Sequence, residues 1–168
     1  MVPLLAAEPA PSPASLELVR LIRWDEYLAE SNAYSARKAH AEGRLTQAQF
    51  NCVILQPKDW TDDVAKYFSR VLTAKEISSA IAFFQSPSGR FFINSFYQKR
   101  DAKRRGTTLD IKTPPEVDRD PAFQAFMDSS LPYKLMPDLQ GSEELAAMTK
   151  LVNDRIGRAL ATCPGAKS

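Results

Sequence analysis

Residues 73–90 read TAKEISSAIAFFQSPSGR, and this stretch decides the fold class. Thr73-Ala74-Lys75-Glu76 has the spacing of a capping box: the threonine oxygen accepts from the fourth residue's amide while the glutamate reaches back to the threonine's own amide. Leu72 and Ile77 flank it at the positions of a hydrophobic staple. Ile77, Ile81 and Phe84 recur at spacings of four and three, which gives the following helix one inward face. Ser86-Pro87-Ser88-Gly89 then starts a second helix, with the serine as cap and the proline at the first helical position, where an N–H would have no intrahelical partner. Phe92 and Phe96 carry that helix on. Two helices joined this closely fold back on one another as an αα-hairpin.

The same grammar extends in both directions. Thr46-Gln47-Ala48-Gln49 is another capping box, with Leu45 and Phe50 as its staple, and Pro57 is expected to stop that helix near Gln56. Thr61-Asp62-Asp63 opens a helix with two carboxylates where the helix dipole favours them, and Val64, Tyr67, Phe68 and Val71 give it a buried face. Upstream, Leu16, Val19 and Ile22 form a short apolar face. Trp24, Tyr27, Leu28 and Tyr34 form a longer one that runs toward Gly43, a C-cap candidate. Downstream, the pattern lapses from Gly106 to Asp120. Asp120-Pro121 starts a short helix with Phe123, Phe126 and Met127 inward. A second irregular stretch spans Leu131 to Gly141, and Ser142-Glu143-Glu144 caps a last long helix that runs to about Cys163, where Pro164-Gly165 stops it. Strand signals are nearly absent. The expected fold is all-α, a compact bundle of about seven or eight helices around a central hairpin, with one domain over 15–163 between a tail at 1–14 and a C-terminal tail at 164–168.

Composition agrees with one globular domain. The chain has 168 residues, 44% of them hydrophobic and 25% charged, with a formal net charge of +2. That is enough apolar material for a core and too little charge imbalance to name a partner. No apolar run approaches the roughly 20 residues a membrane-spanning helix needs.

The core Thr73, Glu76, Ile77, Phe83, Phe84, Ser86, Pro87, Gly89, Arg90 resembles that of a family of exported bacterial helical domains of unknown function. The similarity is strongest over Thr73 to Phe96. It implies a small helical bundle behind a signal peptide and no catalytic residues.

Three features bear on the compartment. Four of the 12 prolines fall within residues 1–14, a composition that favours extended backbone. Val2 to Ala7 reads like the remnant of a secretory signal, ending in small residues where a signal peptidase cuts; the alternative is an ordinary flexible cytosolic N-terminus or linker. Cys52 and Cys163 suit no zinc site. Cys163 continues the helical series Leu145, Met148, Val152, Ile156, Ala159, while Cys52 lies between Phe50 and Val53. The favoured expectation is a disulfide tying the last helix to the third, which in the chain-entropy model stabilises by up to ~4.7 kcal/mol; the alternative is two unrelated buried thiols. Together these point to an exported, periplasmic protein.

The chemistry is sparse. His40 is alone near a helix end and reads as a surface or capping residue. No phosphate loop, nucleophile elbow or zinc-protease motif occurs, and no pattern calls for a cofactor, a metal or a catalytic group. Lys99, Arg100, Lys103, Arg104 and Arg105, offset by Asp101, crowd one helix C-terminus. Such cations complement the dipole, or they contact an acidic protein or anionic lipid. The acidic stretch that follows argues against nucleic acid. Leu131-Pro132-Tyr133-Lys134-Leu135-Met136-Pro137 either suits partner binding or folds down over the bundle. The partner-binding candidates are therefore Arg100, Arg104, Arg105, Tyr133, Leu135 and Met136. The expected function is stoichiometric binding of another protein, as an inhibitor or immunity-type protein facing a toxic effector or envelope enzyme. The alternative is an envelope adaptor that touches anionic lipid or an acidic partner through Lys99 to Arg105.

Overall fold

A computed structural model describes residues 10–55, 59–136, 139 and 142–163, and these form ten α-helices and no strand. The eight expected helices are present: α1 (Pro13–Ile22), α2 (Trp24–Ala41), α3 (Gln47–Ile54), α4 (Thr61–Val71), α5 (Ala74–Gln85), α6 (Pro87–Arg104), α8 (Pro121–Met127) and α10 (Ser142–Ala161). The count exceeds expectation by two short helices, α7 (Pro115–Asp118) and α9 (Leu131–Leu135), inside the stretches expected to be irregular. Both begin at or beside a proline, which suits a first helical turn and hides so short a helix from any periodicity. The signal remnant at 2–7 and the stop signals at Pro57 and Pro164-Gly165 lie outside the described residues.

Local signals place the helix ends. Thr73 accepts from the Glu76 amide at 3.2 Å while the Glu76 carboxylate accepts from the Thr73 amide at 2.7 Å. The Thr46–Gln49 box is formed in the same way. Gly43 takes φ +70° just past α2. One boundary moves: Ser12 caps α1 by accepting from the Ser15 amide at 3.1 Å, so the tail ends two residues earlier than its proline content suggested. Ser12-Pro13 uses the same cap-and-proline device as Ser86-Pro87.

The first helix lies at the centre. Leu18, Val19 and Ile22 are fully buried against α4 and α5, beside Trp24, Phe68 and Phe84. Burying side chains of this size stabilises by about 1.5–3 kcal/mol each. The α5–α6 hairpin turns on one residue, Ser86, whose hydroxyl accepts from the Gly89 amide at 3.1 Å and donates to the Phe83 carbonyl at 2.6 Å. It directs Phe83 into parallel stacking on Phe126 at 4.0 Å, with Phe92 edge-on to Phe126 at 5.6 Å. Asp120 caps α8 through the Ala122 amide and accepts from the Ser88 hydroxyl, which docks α8 against the start of α6.

Three side chains depart from their expected faces. Met127 and Leu145 are exposed rather than inward. Tyr34 is 59% exposed; it follows Tyr27 by two turns, and Tyr27 itself sits at the edge of the buried face of α2.

The hairpin explains its glycine. A Cβ on Gly89 would stand 1.9 Å from the Phe83 carbonyl oxygen, a backbone atom that no side-chain rotation can move away. Gly89→Ala is therefore expected to cost at least about 2 kcal/mol by urea unfolding. Gly157→Ala, in the open interior of α10, should instead stabilise by about 0.5–1 kcal/mol. Equal effects of the two substitutions would contradict this account of the turn.

Candidate functional site

Helical geometry divides the basic cluster at the end of α6 into two populations. Arg100 continues the inward series Ile93, Tyr97 and is only 8% exposed. Its guanidinium lies 4.4 Å from the Tyr97 ring centroid and 5.3 Å from that of Tyr27, and it donates to Glu30 at 2.7 Å and Asp101 at 3.2 Å. Its Nη1 is buried with no hydrogen-bond acceptor among the described residues, a position made tolerable by the two aromatic faces. Arg104 also pairs with Glu30. As a surface contact, Arg100 is thus corrected: it is an internal strut between α6 and α2, and the 93–97–100 spacing carried that information. Lys99 and Lys103 stand roughly a quarter-turn around α6 from Arg100 and Arg104; they and Arg105 are exposed, with no ion-pair partner among the described residues.

The second candidate segment resolves the same way. Leu135 and Met136 are completely buried, as is Pro132. The Leu135 carbonyl accepts from the Trp24 indole N–H, so α9 folds down over the bundle and these two residues are core. Tyr133, 57% exposed, is the one candidate of this segment left on the surface, and Pro137 lies outside the described residues. Lys134 reaches back to Glu76 at 2.7 Å and pins α9 to the start of α5.

Cys52 on α3 and Cys163 just past α10 stand at disulfide distance, with Cα atoms 6.0 Å apart at a sequence separation of 111. That separation lies within the range a bridge requires. The pair fastens α10, whose Arg155 also stacks 4.0 Å over Trp60 and donates to the Asp59 carbonyl and the Asp63 carboxylate. His40 is half-buried, hydrogen-bonded to Gln47 at 2.9 Å and edge-on to Phe50, a local contact in the α2–α3 corner. Among the described residues no three metal-ligating side chains converge, and no helix is long and apolar enough to cross a membrane.

Surface relief is concentrated along α2. One depression is lined by Asp25, Glu26, Asp59 and Asp62 beside Arg20; another, of about 620 Å³, is lined by Tyr34, Arg37, Arg104 and Arg105. A third, largely apolar groove of about 570 Å³ has Phe83 and Phe126 at its base between α5 and α8. Both α2 depressions are open and charged, a form suited to contact with a macromolecule rather than to enclosing a small ligand. Comparison of the chain with family models, with curated proteins and with solved structures returned no match.

The Glu76 contacts make stability depend on acid. Its carboxyl is held at about 2 against an ordinary value of 4.5, first by the Lys134 ammonium and then by the Thr73 amide. A depressed carboxyl stabilises the fold fully above its unfolded value, and the contribution is lost as pH falls from about 4.5 toward 2. Partial exposure of both side chains reduces its size to on the order of 1–2 kcal/mol. Glu76→Gln keeps a capping box of the Thr46–Gln49 kind but removes the ion pair. Urea midpoints should therefore separate wild type from variant at pH 6, draw closer below about pH 4.5 and converge only near pH 2.

Proposed function

We propose that the protein binds another protein stoichiometrically, as an inhibitor or immunity-type protein acting on a toxic effector or envelope enzyme outside the cytoplasm. The observation that carries this reading is the end of α6, where Lys99, Lys103 and Arg105 stand exposed without carboxylate partners among the described residues. The helix they stand on is fixed from beneath by Arg100. A rigid, cation-tipped helix end suits an acidic cleft, because its side chains are presented without the ordering cost a mobile loop would carry. Export is supported by the Cys52–Cys163 pair, since such bridges persist in oxidising compartments. The resemblance of residues 73–90 to exported helical domains and the signal-like residues 2–7 support the same location.

An adaptor that contacts anionic lipid is the second reading, favoured by the same three cations forming one exposed basic end. Affinity purification of the full chain from its own cells separates the two. The inhibitor reading expects one protein retained at 1:1 stoichiometry, a complex that survives high salt, and capture weakened at least about tenfold by Lys99→Glu/Lys103→Glu. No retained protein, with sedimentation on anionic vesicles abolished by the same double substitution, would replace it with the adaptor reading.

A further inference from the structure

We propose that the outward face of α2 pairs with the same face of a second copy, antiparallel, across a two-fold axis. This goes beyond partner binding at the end of α6 and does not depend on it.

The face is defined by what α2 does not bury. Trp24, Leu28, Ala36 and Ala39 point inward. The opposite stripe is Glu26, Glu30, Ala33 and Arg37, at spacings of four, three and four. The two α2 depressions meet along it at Ala29 and Glu30. The N-terminal half is walled by Asp25, Asp59 and Asp62 against a single Arg20, the C-terminal half by Arg104 and Arg105 against a single Asp101. Charge therefore runs from acidic to basic along a helix about 27 Å long.

A two-fold contact demands a patch complementary to itself, and this stripe is. An axis crossing α2 between Glu30 and Ala33 sets Glu26 of each copy against the second copy's Arg37, and Glu30 against its Ala33. Arg37 is exposed and has no ion-pair partner among the described residues. Glu26 holds only an exposed pair with Arg23, of the kind that exchanges readily with another cation. At the centre Glu30 is already neutralised by Arg100 and Arg104, so no bare carboxylates are brought together. Ala29 and Ala33 end at Cβ and let the two backbones approach, while the exposed ring of Tyr34 beside them supplies apolar area.

The test is sedimentation equilibrium of the full chain at low ionic strength, with Glu26→Arg and Arg37→Glu made separately. The wild type is expected to dimerise, more weakly as salt rises. Each variant sets two like-charge pairs in its own dimer and is expected to self-associate at least about tenfold more weakly. Mixed in equal amounts, the two variants recover both opposite-charge pairs and should form a heterodimer near wild-type affinity. Both residues are exposed, and circular dichroism checks that the fold is kept. A wild type that stays monomeric, a variant that dimerises as tightly as wild type, or a mixture no tighter than its components would each overturn the proposal.

Discussion

The chain depends on how it turns from α1 into α2 without a loop. A single residue, Arg23, separates the two helices, and it does so at φ 57°, a left-handed conformation that ordinary side chains rarely adopt. What holds it is Tyr97, buried on α6, whose hydroxyl hydrogen is shared by the Ile22 and Arg23 carbonyls at 2.7 Å each. Burial pushes the phenol well above its ordinary value, so it donates at any physiological pH. The Arg23 and Arg100 guanidiniums both lie within 4.5 Å of the Tyr97 ring centroid. One side chain thereby fixes the central helix, the direction of α2 and the height of α6 beside it.

That arrangement determines which charges reach the surface. With α6 anchored by Tyr97 and Arg100, its cations separate by helical position. Arg100 and Arg104 pair with Glu30, while Lys99 and Lys103 stand on the neighbouring, exposed face. The proposed partner-binding end, centred on Lys99 and Lys103, and the proposed self-pairing face of α2 therefore adjoin at Arg105 on one rigid corner. The disulfide-distance pair acts at the other end, where α10 is held to α3 and Arg155 covers Trp60.

The sequence was informative where structure is decided within a few residues. The capping boxes at Thr46 and Thr73 and the Ser-Pro-x-Gly turn formed as their spacing required, because each needs only its own backbone amides. The start of α1 was obscured by the neighbouring prolines, although Ser12-Pro13 carries the same signal as Ser86-Pro87. Arg100 was recoverable from its register with Ile93 and Tyr97. Burial of Leu135 and Met136 was not, since it depends on an opening over Trp24 that only the assembled bundle creates. Nor was the left-handed turn at Arg23, which no glycine or asparagine announces and which an aromatic residue 74 positions away secures.

Hydrogen exchange followed by mass spectrometry on Tyr97→Phe tests this dependence most directly, because the substitution removes one hydroxyl and keeps the ring. Exchange should rise across the end of α1 and the first turns of α2 while the α5–α6 hairpin stays protected, at a cost of about 1–3 kcal/mol for the hydroxyl lost to the Ile22 and Arg23 carbonyls, the second of which keeps the Tyr27 amide. Protection of residues 18–28 unchanged from wild type would show that the corner stands without Tyr97 and would contradict the account.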